Sequence, residues 1–565
     1  MHRIDRLNGS GGARLFAALL LCALFFLLTV SFVRVGFESN DDLTLAAFVD
    51  GQMAVPTAHI PYLNIAAAAL LKGVYRVLGQ GAPWHTLGQY ALLFTSFTAL
   101  GAVLNARLGA LRGSLVTLVL LLFFGMDALT LINYTKTAAV CTVCGMVLTV
   151  YAAENGGKRA PLLCGAALCL FGFLLRDREF LPCFAITAAL CLRRLWTILS
   201  EKGAERKGRS LVRFCLPFAA VVLLAAGLWG VNRAAWAKEP WASYARFDAV
   251  RVAYSDYGRP AWDEMPEEYA ALGLSESDVR LLYEGNYFDP EAFSGEVMQE
   301  IADARDLKFP ARSWGECLGV FLDKCIPGFF LNYGIYGLLF LLALWLCGGK
   351  HELRDFVALA FAALVFLAAY LYLIRRGRFL VDRVDMGLFF SLAAVCAYLL
   401  DRERLAAERH LSALLLLLAL GTCFFLTRPS FRSVPAEDFS EERAAVETLL
   451  QDTEHVYLAK LDTVSDRIYS PFEPAARGYW DRIVLLGGFD CNHPAIMDNL
   501  RLYGVENPYR DCIGNERVYL IEDDIELTLR FLREHYDPNA EAERVEPLSA
   551  QTGLQIYRIR KGGAA

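Results

Sequence analysis

At 565 residues, 56% hydrophobic and with a mean hydropathy of +0.36, the chain carries more apolar surface than one soluble core can bury, and that surface falls in blocks near bilayer-spanning length. The net charge is only −6, and Lys and Arg sit in short clusters between the blocks, a distribution that sets membrane topology and excludes a nucleic-acid groove. Most of the fifteen cysteines lie inside apolar blocks as small hydrophobes, the lone pair Cys141 and Cys144 included, and no pair recurs at zinc spacing.

The first block, Leu15–Val35, is longer than a signal-peptide core and has no small-residue cleavage site before the polar FESNDD, so it reads as an uncleaved anchor. Further spans are predicted at Leu87–Leu104, Leu115–Leu131, Ala138–Ala153, Pro161–Leu175, Phe180–Leu195 and Val212–Trp229, then at Cys325–Cys347, Phe356–Leu373, Val384–Leu400 and Leu411–Phe425, about eleven in all. The block Ile60–Gly79 is apolar but contains Asn64, Lys72 and Arg76. If it crossed, most basic loops after the first would face outward. It is therefore read as a helix at the outer interface, with Lys72 and Arg76 snorkelling to headgroups.

That choice makes the N-terminus cytoplasmic and leaves three parts outside: a first loop (36–86), a large loop (231–324) and the tail. The large loop opens with the aromatic and charged WASYARFDAVRVAYSDYG and continues with helix starts at Ser275, with Asp278 three residues on, and at Asp289-Pro290; it reads as a lid or platform. The tail offers a helix near Ser440–Gln451, strand-like HVYLAKL, RIVLLGG, RVYLIED and LQIYRI, and the helical IELTLRFLREH. The expected fold class is thus mainly α: a polytopic membrane helical bundle (1–427) with interfacial helices in its first outer loop, plus a small extracytoplasmic α/β domain (428–565). LLGGFD is too short a signal for dinucleotide binding, so the tail reads as a docking or stabilising module; a disulfide between its Cys491 and Cys512 stays open.

Asn40-Asp41-Asp42 directly follows the first span. Two adjacent carboxylates near a bilayer surface are costly to desolvate. One can act as general base on an acceptor hydroxyl while the other positions it, or both can hold a divalent cation; the alternative is that they cap the helix LTLAAFVDG. Arg375, Arg376, Arg378 and Arg383 lie outside against the positive-inside trend and form a candidate phosphate clamp, with lipid headgroups as the other ligand. Arg176 and Arg178 can join them or pair with Asp177 and Glu179. His59 is a candidate acceptor contact or metal ligand, or an ordinary polar residue, and Asp127 is an ionisable residue within a predicted span.

An N-terminal span, the acidic NDD, the helix HIPYLNIAAAALLKGVYRVLG and many short-looped spans together resemble the glycosyltransferase C superfamily, in particular bacterial cell-envelope enzymes that use polyprenyl-phosphate sugars, such as O-antigen glucosyltransferases and arabinofuranosyltransferases. The motif-level resemblance runs from Leu15 to about Leu104. It implies an inverting transfer from a polyprenyl-phosphate sugar donor to a glycan or lipid acceptor, in a protein surrounded by membrane lipids. The base would be Asp41 or Asp42, with a lean to Asp42 because the second acid is the base in the arabinofuranosyltransferase-like pattern, and basic residues would hold the departing phosphate. The aminoarabinose- and mannosyl-transferring branches carry Asp-Glu instead, so the donor sugar stays open. No redox cofactor is required, and a divalent cation at Asp41, Asp42 and His59 is an open option. The competing readings are an envelope polysaccharide polymerase or ligase of another fold, in which arginines are essential and the acids dispensable; a lipid or solute transporter, against which the lack of matching interrupted helices argues; and a non-catalytic scaffold.

Overall fold

The computed structural model describes residues 11–39, 41–53, 55–200, 204–347, 351–378, 381–402, 421, 439–461, 463–464, 468–474 and 478–563. Helix α1 (Gly11–Phe32) buries one stripe, Ala18, Cys22, Phe25 and Thr29, at alternating spacings of four and three. Its other faces expose Leu20, Leu27 and Phe32, as expected of a helix solvated by lipid rather than water. The chain then makes a short parallel pairing of β1 (Gly36–Phe37) with β2 (Leu131–Ile132). It continues through α2 (Asp41–Asp50) and α3 (Ile65–Leu78), the latter capped by Asn64, whose side chain accepts from the Ala66 amide. Lys72 does not reach outward: its Nζ donates to the Pro56 carbonyl at 2.7 Å, which folds the loop back on α3.

Helices α4 (Trp84–Leu108), α5 (Ala110–Thr130), α6 (Tyr134–Glu154), α7 (Arg159–Leu175), α8 (Asp177–Leu199) and α9 (Ala204–Trp236) follow. Helix α6 is buried over nearly its whole length and forms the axis of the bundle. It meets α7 backbone to backbone: a Cβ on Gly145 would lie 2.7 Å from the Gly165 carbonyl and the Cys169 amide, so small residues set this crossing. A turn of π-helix at Leu121–Gly125 interrupts α5. After a polar excursion come α10 (Trp241–Ser255), α11 (Pro266–Ala271), α12 (Glu276–Tyr283) and α13 (Gly295–Lys308). The chain returns to apolar helices in α14 (Trp314–Phe329) and α15 (Tyr333–Cys347), which meet at a 94° bend, and then α16 (Leu353–Arg375) and α17 (Asp382–Leu399). Seven described helices are long and apolar enough to cross a membrane, eight if the bent pair is one span. Helix α7, at 17 residues, and the buried α17 fall where two more spans were expected. The expected span Leu411–Phe425 lies almost wholly outside the described residues.

The excursion behaves as its capping signals predict at Ser275, whose box with Asp278 is complete, but not at Asp289. There the carboxylate accepts from the Glu291 and Ala292 amides in a turn, and the helix starts six residues later at Gly295 under a Ser294 cap. The C-terminal part contains α18 (Ser440–Gln451), α19 (Ile525–His535) and a five-stranded sheet of β3 (Val456–Ala459), β4 (Ile483–Leu485), β5 (Val518–Ile521), β6 (Glu541–Arg544) and β7 (Ile556–Arg560). The order is β4-β3-β5-β7-β6, parallel across β4, β3 and β5 and antiparallel beyond. Strand β6 was not expected, because an edge strand of sequence EAER has no apolar face to betray it. Cys491 and Cys512 are both buried and both free thiols, so no disulfide joins them.

Two large cores divide the molecule. One fills the helix bundle. The other runs without a break from the first loop (Phe48, Tyr75) through the excursion (Tyr254, Phe288) into the sheet (Tyr457, Ile483). The sheet is therefore part of the same packed cap as the loop that carries the paired acids.

Candidate active site

Asp41 and Asp42 open α2, where carboxylates are favoured by the unpaired amides of the first turn. Neighbouring side chains on a helix diverge by about 100°, and these two go to different places. Asp42 is completely buried. Its carboxylate accepts from Gln89 Nε2 at 2.7 Å and from the Tyr134 amide at 3.2 Å, and pairs with His85 Nε2 at 3.0 Å. It thereby ties α2 and α4 to the N-terminus of α6. Asp41 instead faces a cavity of about 630 Å³. Its side chain is 18% exposed, with Arg383 Nη2 3.9 Å away. Burial holds its carboxyl above the usual range, and Arg383 opposes that rise.

The cavity is walled by three stretches far apart in sequence: the first loop and the membrane helices, the polar excursion, and the C-terminal sheet region. Arg176 stands at the α7–α8 junction in extended backbone. Its Nη1 donates to the Tyr134 hydroxyl at 2.7 Å, and its guanidinium lies 4.6 Å over the Tyr62 ring. No ion pair joins Arg176 or Arg178 to Asp177 or Glu179; buried Glu179 accepts instead from the Cys183 thiol. Arg176, Arg178 and Tyr62 also line a second cavity of about 370 Å³, bounded by Phe173 of α7 and by Asn232 and Trp236 at the end of α9. Tyr62 holds a left-handed backbone (φ 68°), a strained conformation for a bulky residue, at the point where the two spaces meet.

The four arginines that neighbour one another after α16 separate. Arg383 and Arg378 line the larger cavity, the latter 3.4 Å from Asp256. Arg376 lies over the Tyr257 ring and lines the smaller cavity. Arg375 lines neither; it stacks on Trp314 and donates to the Arg312 carbonyl. His59 also lines neither, being stacked on Trp241 at 4.2 Å with its ring nitrogen 3.4 Å from the Ala235 carbonyl. Asp41, Asp42 and His59 therefore do not converge on one point. The described side chains whose ligand atoms do converge are Asp278, Glu534 and His535, between α12 and α19. Asp278 completes a helix cap there and pairs with His535 at 2.7 Å, while Glu534 accepts from the Ser275 and Ser277 hydroxyls, so the cluster is a satisfied contact between excursion and tail. Asp127 has a structural partner: Lys136, 1% exposed, lies 2.9 Å from it and 2.8 Å from Glu38.

Sequence reasoning missed several residues of the larger cavity. Arg251, 5% exposed, holds Asp248 at 2.6 Å and donates to the Tyr62 hydroxyl at 2.5 Å. Arg259 and Tyr287 come from the same excursion, and Trp480 and Asp490 from the tail. Burial pushes the Asp490 carboxyl up to about 7. A carboxylate in one space with Arg176 and Arg178, which make no ion pair among the described residues, and continuous with the ends of apolar helices can take a proton from one ligand while a guanidinium holds a phosphate of another.

Comparison with protein-family models finds no match, and comparison with curated proteins finds none either. Among solved structures the chain is similar to ArnT from Cupriavidus metallidurans, both bound to undecaprenyl phosphate and in the apo state. Each similarity covers 96% of this chain and 97% of that chain at 11% identity, with TM-scores of 0.35 and 0.36, a level that leaves the site to be read from its own residues.

Proposed function

We propose that the chain is a membrane glycosyltransferase of the glycosyltransferase C type, transferring a sugar from a polyprenyl-phosphate donor to a cell-envelope acceptor on the extracytoplasmic face. The observation that carries this reading is the placement of Asp41 in one cavity with Arg176 and Arg178, where Arg176 makes no direct ion pair among the described residues and where a second cavity begins at the helix ends. The resemblance of the first loop leans to Asp42 as base, but Asp42 is sealed from the cavity and spends its lone pairs on Gln89, His85 and Tyr134. The base is therefore Asp41. Its carboxylate takes the proton of the acceptor hydroxyl, the acceptor oxygen bonds to the anomeric carbon, and the bond from that carbon to the phosphate oxygen breaks, its electron pair leaving with the polyprenyl phosphate. Arg176, with Arg178 and Arg376 on the side of the smaller cavity, receives that charge; Arg383 opposes the rise that burial imposes on the Asp41 carboxyl.

Membranes containing the protein are tested with a panel of labelled undecaprenyl-phosphate sugars. Transfer of label by wild type and not by Asp41→Asn at equal accumulation is expected. Absence of transfer with every donor refutes the reading. Full activity of Asp41→Asn would favour the arginine-based ligase, which the same guanidinium-rich cavity also suits.

A further inference from the structure

The larger cavity is divided by charge. Its arginines all belong to residues 176–383, whereas the wall supplied by the C-terminal sheet region presents Tyr479, Trp480 and Phe489 around a single carboxylate, Asp490, with no Lys or Arg among the described residues. Asp490 is 6% exposed, and no other described residue hydrogen-bonds or salt-bridges its carboxylate. Trp480, 3% exposed, lines the same wall with its ring. A buried carboxylate that accepts only from its own backbone amide among the described residues is costly, and a ligand that brings hydroxyl or amine donors relieves it. Aromatic faces beside one acceptor fit the C–H face and hydroxyls of a pyranose. A phosphate or carboxylate on this wall would meet Asp490 with like charge, and Arg251, the cation that acts on Asp490, is already paired with Asp248.

We propose that this wall binds the acceptor as an uncharged or amine-bearing sugar, read through Asp490 and Trp480, so that the acceptor is a glycan and not a phosphorylated lipid headgroup. The assignment of this sugar as acceptor rests on the glycosyltransferase reading; the binding site itself does not. The phosphate of the donor then occupies the arginine side near Arg176, and the glycan reaches Asp41 from the opposite side.

The full chain in phosphatidylcholine nanodiscs is titrated with cellobiose, N,N′-diacetylchitobiose, glucosamine and glucose 6-phosphate by saturation-transfer NMR, and separately with undecaprenyl phosphate. At least one of the first three is expected to bind wild type, with affinity lowered roughly tenfold or more in Asp490→Asn and severalfold in Trp480→Phe, and with glucose 6-phosphate not competing. Asp490→Asn preserves side-chain shape, Trp480→Phe keeps an aromatic ring in a smaller volume, and an unchanged Tm verifies the folding of each. Equal binding by both variants, preference for glucose 6-phosphate, or no binding of any sugar overturns the proposal. Loss of undecaprenyl phosphate binding in wild type would instead overturn the donor reading, and the two failures are told apart within one preparation.

Discussion

Replacing Asp41 and Asp42 in turn by Asn separates chemistry from architecture at adjacent positions. Asp41 has a loose ionic neighbour, Arg383 at 3.9 Å, a side-chain hydrogen bond with Ser39, and an open side facing the cavity. Asp41→Asn therefore removes little packing and costs little stability, but it removes the base, and a positioned base is worth about 10²–10⁴-fold in rate, or roughly 3–5 kcal/mol of barrier. Asp42 accepts from Gln89 and the Tyr134 amide and pairs with His85, all buried. Asn in its place points an N–H₂ group at one or more of these donors and leaves a buried network unsatisfied, at a cost of about 3 kcal/mol against a total stability of roughly 5–15 kcal/mol. Transfer of label from an undecaprenyl-phosphate sugar and Tm of the purified protein are measured on both. The expected pattern is an inactive, stable Asp41→Asn and a destabilised Asp42→Asn that retains turnover in proportion to its folded fraction. The reverse pattern, a stable and inactive Asp42→Asn beside an active Asp41→Asn, refutes the reasoning.

Arg176→Lys keeps the charge but loses the planar contact with the Tyr62 ring, so the KM for donor should rise about tenfold, and Arg176→Ala should raise it about a hundredfold, both read from initial rates at saturating acceptor. Asp41 must be ionised to act, and its carboxyl lies above the usual range, so kcat/KM should fall as pH drops through that raised value; Arg383→Gln removes the opposing cation and should move this acidic limb further upward. Asp50, 7% exposed, is pushed up to about 7 by burial from an ordinary 3.8. The folded chain thus holds this proton more tightly than the unfolded chain, unfolding releases it, and stability should decline as pH rises from about 4 to about 7, by up to about 4 kcal/mol in all. Denaturation midpoints across that window should show the decline flattened in Asp50→Asn.

The apolar blocks made the bundle legible because lipid solvation imposes long uninterrupted runs, and ten of the eleven expected spans meet a described helix. The tail was legible where strands alternate or are wholly apolar, as in β3, and illegible in β6, whose exposed edge carries Glu541, Glu543 and Arg544. At the site, NDD was found and the choice within it was not, because that choice is made by His85 and Gln89, more than forty residues further on. The clustered arginines near 375–383 read as one clamp but stand on the end of α16, the turn after it and the start of α17, which sends Arg375 to Trp314 and Arg383 to Asp41. Arg251 and Arg259 gave no signal against a charged and aromatic background.

The tail was read as a docking module, and its contribution to the cavity follows from a feature that no local pattern encodes. Tyr244 of α10 donates to the Phe489 carbonyl, and His493, whose ring sits among Phe48, Trp241 and Tyr244, lies with its Nε2 2.9 Å from the His59 carbonyl. Burial pushes that imidazole down to about 3, so it stays neutral across the physiological range and donates without importing a charge into the seam. First loop, excursion and tail are thereby pinned to one another beside residues 488–490. A base on the first loop and a carboxylate on the tail can face a common ligand only if those two segments keep a fixed separation. The neutral His493 seam and the shared apolar core supply that constraint, which makes the tail part of the site's geometry.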